Sequence, residues 1–197
     1  MSKIRLGVAG ANGAFGIKHL EALRAISDVD ITAVMATTME KATGVADRFD
    51  VPLRFDDYDT FIASDRVDAI ILATPTQLHA EQGIKAMAAG KHVLVEIPMA
   101  DSLADSERLV AKQAETGLVG MVGHVRRFNP SHQWVHNEIS KGALSIQQMD
   151  VQTYFFRRTN MNAKGEPRSW TDHLLWHHAC HTIDLFLYQT GEPVSEV

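Results

Sequence analysis

The chain has 197 residues, of which 45% are hydrophobic and 22% are charged, a composition typical of a globular protein with room for one α/β domain and part of a second. A net charge of −5 argues against nucleic-acid binding through phosphate neutralisation. One cysteine, Cys180, excludes an internal disulfide. No apolar run has the length of a secretory leader or a membrane span, so we expect a cytoplasmic protein with no nucleic-acid or membrane partner.

The first apolar run, residues 4–9, ends in a glycine-rich turn that leads directly into a helical pattern. The spacing Gly10-x-x-Gly13-x-x-Gly16 is one residue wider at its first step than GxGxxG. Such glycines permit a sharp turn, close approach of a pyrophosphate and tight helix–strand packing, and the helix N-terminus favours the phosphates. An ordinary tight turn is the alternative. The candidate cofactor-binding residues here are Gly10, Asn12, Gly13, Ala14, Phe15 and Gly16.

Apolar strands and amphipathic helices then alternate along the chain. The pattern predicts strands at 29–35, 53–55, 69–73, 92–96 and 118–122, and helices at 14–26, 40–49, 57–63, 76–89 and 103–116. Ser102 is the predicted cap of the last of these helices and Gly117 its stop. Six strands in this order predict a doubly wound parallel sheet of the Rossmann type, whose ligands lie beyond the carboxyl ends of the strands.

The second strand ends in Thr37 and Thr38, where nicotinamide-binding domains usually carry an acidic residue for the ribose hydroxyls. Two hydroxyls followed by Lys41 tolerate a 2′-phosphate, which favours NADP over NAD. The alternative is that a threonine only caps the next helix. The remaining candidate cofactor-binding residues follow later strands: Thr74, Pro75, Thr76, His79, Glu96 and Ile97.

The pattern changes after Asn129-Pro130. We predict a helix at 131–141, a long polar strand at 146–157, a loop, and a last helix at 172–188. These elements indicate the start of an α+β domain with an open-faced sheet. We therefore predict a dinucleotide-binding domain over 1–123 and a partial substrate or catalytic domain over 124–197.

These segments together resemble the Gfo/Idh/MocA family, the group of glucose–fructose oxidoreductase and inositol dehydrogenase. The segments that carry the resemblance are the glycine turn, 73–79, 90–98, 127–130 and 177–184. Within the family, residues 95–98, 121–132 and 147–181 are similar to members that act in aromatic acid breakdown. The resemblance implies a dehydrogenase that oxidises the cyclic hemiacetal of a carboxylated semialdehyde with NADP as acceptor.

Three features depart from the family pattern. Ile97 stands where the family usually has a lysine near the reacting hydroxyl, and His177 stands where it usually has an aspartate four residues before the active-site histidine. The chain also stops at Val197, whereas family members continue for about half as much again, so we expect a fragment or truncated product. The resemblance implies a homo-oligomer for full-length members and leaves the state of this chain open.

The last predicted helix carries a polar stripe of His177, His181, Asp184 and Tyr188. An adjoining apolar face should pack inward; it contains Trp176, Ala179, Cys180, Ile183 and Leu187. Hydride leaves a hemiacetal carbon only as the hydroxyl proton departs, and histidine suits proton transfer near neutral pH. We predict His181 as the base, with His177 beside it and Asp184 as its orienting group. The alternatives are a divalent metal held by these three residues and a purely structural set; we expect no metal.

A substrate with two carboxylates favours arginine, whose planar fork binds a carboxylate bidentately. The candidate substrate-binding residues are Arg126, Arg127, Arg157, Arg158 and Arg168, with His124, Asn162 and His178. Each arginine is alternatively a solvated surface charge, and alternation along a strand prevents Arg157 and Arg158 from facing one cleft together. Two other functions stay open: a sugar or polyol dehydrogenase of the same family, and a non-catalytic NADP-binding regulator.

Overall fold

The structure, a computed structural model, describes residues 3–154, 156, 159, 161, 167 and 174–195, with the backbone alone for 174, 175 and 177. The chain forms two compact units, Met1–Gly123 and His124–Val197. None of the helices within the described ranges is long and apolar enough to cross a bilayer.

The first unit is built on a parallel sheet of six strands in the order β3-β2-β1-β4-β5-β6. The strands are β1 (Ile4–Ala9), β2 (Val29–Met35), β3 (Leu53–Phe55), β4 (Ala69–Leu72), β5 (His92–Val95) and β6 (Gly120–Val122). The helices are α1 (Ala14–Leu23), α2 (Met39–Phe49), α3 (Tyr58–Ala63), α4 (Thr76–Ala88) and α5 (Leu103–Thr116). The predicted doubly wound parallel sheet is therefore confirmed.

Two hydrophobic clusters cover the two faces of the sheet. Val8, Val34 and Ile71 pack into one cluster with Leu20 of α1. Their chain neighbours Ala9, Met35 and Leu72 pack into the other with Phe61 and Leu109, which lie on α3 and α5. Successive strand residues point to opposite faces, and a parallel sheet is buried on both. This is why its strands appear in the sequence as continuous apolar runs.

Local capping sets the ends of α5 as the sequence indicates. The hydroxyl of Ser102 accepts a hydrogen bond from the amide of Asp105 at 3.1 Å, which satisfies a donor that the first turn leaves unpaired. Gly117 ends the helix in the left-handed conformation at φ 65°, which glycine adopts without a Cβ penalty. The predicted cap and stop are both confirmed.

The second unit begins with a 3-10 turn, Val125–Phe128, and continues with α6 (Pro130–Ser140). The last helix, α7, spans Leu174–Thr190. The predicted strand over 146–157 is wrong for the part that the structure describes, since 146–154 and 156 form no strand. A strand requires a neighbour for its backbone groups, and the only pairing seen in the described part of this segment and the following loop is one antiparallel bridge, Met161 with Pro167.

Within the described part of α7 the buried side chains are Asp184, Leu185 and Gln189, none of which belongs to the apolar face predicted from the sequence. Asp184 and Gln189 are buried, whereas Trp176 is 36% and Ile183 is 52% exposed. Hydrogen bonds cause this orientation: Asp184 accepts from Arg127 of the 3-10 turn, and Gln189 donates to the carbonyl of His132 on α6. The predicted inward packing of the apolar face is therefore wrong.

Candidate functional site

The glycine turn between β1 and α1 has the geometry expected of a phosphate cradle. Gly10 has φ +75°, and a Cβ there would strike the backbone of Ala73. A Cβ on Gly16 would strike the carbonyl of Gly10, so both positions require glycine. Gly13 is the N-cap of α1 and provides no side-chain cap, and the first turn contains no acidic residue. The unpaired first-turn amides of such a helix suit an anion.

The remaining cofactor candidates of the first unit lie at the same edge of the sheet. Thr37 and Thr38 follow β2, Thr74 and Pro75 follow β4, and Glu96 follows β5. Strand order reverses between β1 and β4, and ligands of doubly wound sheets bind in the crevice at this switch point. The topology therefore brings these candidates together around the glycine turn.

The end of β2 combines two hydroxyls with one ammonium group. The Thr38 hydroxyl accepts from the Lys41 amide at 3.3 Å and so caps α2. The Lys41 Nζ lies 3.3 Å from the Thr37 hydroxyl, and all three residues are exposed. Glu40 adds one negative charge in the same helical turn. The threonine cap foreseen as the alternative is thus present, and Lys41 still offers a cation to a phosphate.

The structure corrects the expectation that His79 contacts a cofactor. Its side chain is 1% exposed, with Nδ1 2.9 Å from the carbonyl oxygen of Pro98 and Nε2 2.8 Å from that of Thr74. Thr76 is also buried. His79 instead ties the turn after β4 to the loop after β5. A pattern of residue types gives no measure of burial, which is why sequence reasoning misplaced this side chain.

Sequence reasoning missed His19 on α1. Its Nε2 lies 2.6 Å from Oε1 of Glu96, and the two side chains are 22% and 11% exposed. A carboxylate only accepts hydrogen bonds, so the imidazole donates. The available signal was position: His19 follows Gly16 by three residues and therefore lies on the helix face that packs against the sheet.

In the second unit, the 3-10 turn and α7 bring four of the predicted residues together. Arg127 binds Asp184 with both oxygens engaged, Nε lying 2.9 Å from Oδ2 and Nη2 2.5 Å from Oδ1. His124 Nδ1 is 3.6 Å from Asp184 Oδ2. In the described part of the chain no hydrogen bond joins Asp184 to His181. The partner of Asp184 is therefore Arg127, which corrects its predicted role as the group that orients His181.

Burial and neighbouring groups lower the pKa of the His181 imidazole, which disfavours its charged form. Burial lowers the pKa of His181, the charge of Arg126 and the nearby His124 and His178 lower it further, and Asp184 opposes them. Burial likewise lowers the pKa of His124. The Nδ1 atoms of His124 and His181 are buried without a hydrogen-bond partner among the described residues. Such atoms require an explanation, of which a bound ligand is one.

The two arginines of the 3-10 turn differ in what neutralises them. Arg127 pairs with Asp184 and lies 5.4 Å from the centre of the Tyr188 ring. Arg126 reaches the Thr153 hydroxyl at 3.4 Å and has no carboxylate partner within the described residues. Of the two, Arg126 is the one whose guanidinium charge is left for an anionic ligand.

The remaining predicted site residues are His178 and several positions outside the residues that the structure describes. His178 is half-buried on α7. Among the described residues no group of three histidine, cysteine or acidic side chains is placed to hold a metal ion. The predicted positions that lie outside the described residues are Arg157, Arg158, Asn162 and Arg168, together with the side chain of His177.

Known proteins match both units. Residues 4–124 match the Gfo/Idh/MocA model, described as an oxidoreductase family with an NAD-binding Rossmann fold, and 130–197 match bacterial oxidoreductases, C-terminal. The chain is 61% identical over 98% of its length to 4-carboxy-2-hydroxymuconate-6-semialdehyde dehydrogenase of Sphingobium sp. (strain NBRC 103272 / SYK-6). It is 30% identical over 99% of its length to inositol 2-dehydrogenase of Rubrobacter xylanophilus. It spans 61% and 54% of these two relatives.

Solved structures give the same fold. A probable dehydrogenase from Thermotoga maritima superposes with a TM-score of 0.81 at 22% identity, covering 97% of this chain and 56% of its own. The 3-ketoreductase KijD10 from Actinomadura kijaniata, solved with NADP, gives a TM-score of 0.65 at 32% identity and covers 72% of this chain and 45% of its own. The family model spans the whole first unit from β1 onward. The chain therefore belongs to the Gfo/Idh/MocA family of oxidoreductases, and its first unit is the family's NAD-binding Rossmann fold.

Proposed function

We propose that the protein is an NADP-dependent dehydrogenase that oxidises the cyclic hemiacetal of 4-carboxy-2-hydroxymuconate-6-semialdehyde to 2-pyrone-4,6-dicarboxylate in aromatic compound catabolism. The observation that carries the proposal is the half-buried His181, whose Nδ1 has no hydrogen-bond partner among the described residues, together with Arg126, which has no carboxylate partner among them. This is the combination that oxidation of an anionic alcohol needs: one proton acceptor and one cation. The choice of substrate is supported by the 61% identical relative that bears this name.

The first unit would hold the cofactor. The amides at the start of α1 would bind the pyrophosphate, and the cradle fits because Gly13 caps the helix with no side chain. Lys41 with Thr37 would bind a 2′-phosphate, which supports NADP rather than NAD. The residues that would line the nicotinamide half of the cofactor are Thr74, Pro75, Glu96 and Ile97. NADP, when bound, supplies the hydride acceptor.

His181 would take the proton. As the hydride leaves the hemiacetal carbon, the O–H bond breaks, the carbonyl of the product forms, and the proton moves to a ring nitrogen of His181. The same environment that keeps the ring neutral also makes it a weak base, since burial and the charge of Arg126 disfavour the imidazolium. His181 would therefore return the proton to water readily between turnovers. Ile97 has no proton to exchange, so the position where the family usually has lysine contributes none.

Arg126 would bind a substrate carboxylate, since its guanidinium has no carboxylate partner among the described residues. Arg127 would act indirectly, because its Nε and Nη2 are bound to Asp184. The predicted contacts of His124 and His178 rest on their place beside His181. Only the resemblance and the residue type support the other predicted substrate contacts, which are those of Arg157, Arg158, Asn162 and Arg168.

The test is turnover with each cofactor. The chain is mixed with NADP or with NAD, the semialdehyde is added, and absorbance of the reduced cofactor is followed. We expect reduction of NADP and slower reduction of NAD. Inositol in place of the semialdehyde tests the sugar and polyol alternative, and the same assay on a chain of the relative's full length separates a wrong substrate from a missing segment.

Substitution of the base distinguishes an enzyme from a regulator. His181→Gln should lower kcat by about 10²- to 10⁴-fold, the usual contribution of a general base, while NADPH affinity stays unchanged. Cys180→Ala, at the adjacent half-buried position of α7, is the matched control and should retain turnover. If the unaltered chain binds NADPH but reduces neither NADP nor NAD with any substrate, the proposal is refuted. That result would favour the non-catalytic regulator, which Ile97 in place of the family's usual lysine also favours.

A further inference from the structure

The contact between His19 and Glu96 joins the helix of the glycine turn to the strand end across the switch point. The two residues are 77 positions apart in the sequence, and Nε2 of His19 lies 2.6 Å from Oε1 of Glu96. His19 is on α1 and Glu96 directly follows β5. The contact therefore links two of the elements that surround the predicted cofactor crevice.

The Glu96 carboxylate is held from three directions. Oε1 accepts from His19, and Oε2 lies 3.3 Å from the amide of Ile97. A Cβ placed on Gly123 would lie 3.2 Å from Oε2, so the carboxylate packs against a position that has no side chain. A polar side chain that is 11% exposed is costly to bury without such partners. The arrangement fixes the direction of both oxygens.

This carboxylate retains the capacity to accept further hydrogen bonds. A carboxylate offers about four lone-pair positions, and the described residues supply two donors, the His19 ring and the Ile97 amide. A negative charge at this point disfavours a phosphate and favours a hydroxyl or amide donor. In a nicotinamide dinucleotide the groups that can donate to it are the ribose hydroxyls and the carboxamide.

Sheet topology indicates which half of a dinucleotide carries that donor. The glycine turn follows β1, and the hydroxyls suited to the 2′-phosphate follow β2 on one side of it. Glu96 follows β5, on the opposite side of β1 beyond β4. A dinucleotide that spans the switch point with its adenosine over β2 places its other half toward β4 and β5.

We infer that His19 is a positioning residue that holds Glu96 as a hydrogen-bond acceptor for the nicotinamide riboside half of the cofactor. The inference rests on the cofactor site of the proposed function, but it does not depend on the substrate. It predicts that the loss of His19 weakens binding of the nicotinamide half alone. A merely structural role would weaken the adenosine half equally, since α1 carries the phosphate cradle.

The test compares two ligands by titration calorimetry: NADPH, and 2′,5′-ADP, which lacks the nicotinamide half. His19→Leu should weaken NADPH binding roughly tenfold, the factor for about one hydrogen bond to a charged group, and leave the affinity for 2′,5′-ADP unchanged. His19→Gln, whose amide nitrogen donates in place of Nε2, should restore most of the NADPH affinity. In a Glu96→Gln background, His19→Leu should have little further effect on NADPH binding.

His92→Leu is the matched control. His92 is a histidine of the same unit at the start of β5, and its Nδ1 accepts from the amide of Val119 at 2.9 Å. Because it lies at the opposite edge of the sheet from the strand ends, we expect both affinities to stay unchanged.

An analogue of NADPH with an acetyl group in place of the carboxamide identifies the group that donates to Glu96. If His19→Leu still weakens binding of this analogue, the donor is a ribose hydroxyl. If His19→Leu no longer affects its binding, the donor is the carboxamide.

Equal weakening of both ligands by His19→Leu, or weakening of neither, would overturn the inference. So would an unaltered chain that binds neither ligand. If NADPH binds with the expected pattern but no substrate is oxidised, the proposed function fails and the role of His19 stands. The two ideas therefore fail on different readouts.

Discussion

Removing Arg127 should destabilise the second unit more than removing its partner Asp184. The Asp184 side chain is 7% exposed and the Arg127 side chain 42%, so each deletion leaves a residue with a different access to water. In Arg127→Met the carboxylate stays buried, and His124, whose Nδ1 lies 3.6 Å from Oδ2, is the ion-pair partner that remains among the described residues. Breaking a buried pair costs about 3–5 kcal/mol; with one partner half exposed we expect the lower end, about 3 kcal/mol.

The converse variant, Asp184→Asn, leaves a guanidinium that is able to turn to solvent. The amide oxygen also still accepts a hydrogen bond from it. We expect a cost of about 1–2 kcal/mol, the value of a lost charged hydrogen bond.

Urea unfolding followed by tryptophan fluorescence measures both costs. All three tryptophans, Trp134, Trp170 and Trp176, belong to the second unit, so the signal reports on that unit. With a urea m-value of about 1–3 kcal/mol per M, a 3 kcal/mol loss lowers the midpoint by roughly 1–3 M. Lys141→Met is the control within the same unit: the Lys141 side chain, paired with Glu138, is 67% exposed, and an exposed pair contributes about 0–1 kcal/mol. An Asp184→Asn cost equal to or above that of Arg127→Met would refute the reasoning.

Three further predictions follow from single contacts. Because His181 must be neutral to accept a proton and its pKa is lowered by burial and then by Arg126, kcat/KM should fall as the pH drops through a value below the ordinary 6.5 or so. Arg126→Gln should move that acid limb to higher pH, and an unmoved limb contradicts the assignment. The Asp68 carboxyl, with its pKa lowered to about 2 by hydrogen bonds from Arg5, should titrate near that value by NMR and return toward its ordinary range in Arg5→Met. Gly10→Ala should lower the melting temperature because its φ is +75° and its Cβ meets the Ala73 backbone. Gly44→Ala, with nothing within 4 Å on α2, should instead stabilise the fold by about 0.5–1 kcal/mol.

The sequence was sufficient where structure depends on near neighbours. Apolar runs predicted the six strands, because parallel strands buried on both faces show as continuous apolar segments, and the glycine turn and the Ser102 cap predicted the starts of α1 and α5. The sequence was insufficient where the structure depends on a partner residue that is far away along the chain. The inward face of α7 depends on Arg127, which lies 57 residues before Asp184, and apolar content alone selected the opposite face. The pairing of His19 with Glu96 spans 77 positions, and no spacing rule connects them.

The identity of residue 97 bears on how the proposed chemistry is divided within the chain. A lysine in that position, usual in the family by resemblance, supplies an amine that can exchange a proton. With Ile97 no such group is present, and Arg126 cannot replace it as an acid or base because its guanidinium stays protonated. In the proposed mechanism the proton therefore passes to an imidazole, that of His181, whose pKa is lowered by burial and then by Arg126, His124 and His178. An anionic substrate would partly neutralise the charge of Arg126, which is one of the causes that lower this pKa. Substrate binding should accordingly raise the pKa of His181 and strengthen the base when it is needed, so the acid limb of kcat should lie at higher pH than that of kcat/KM; limbs in the reverse order would exclude this coupling.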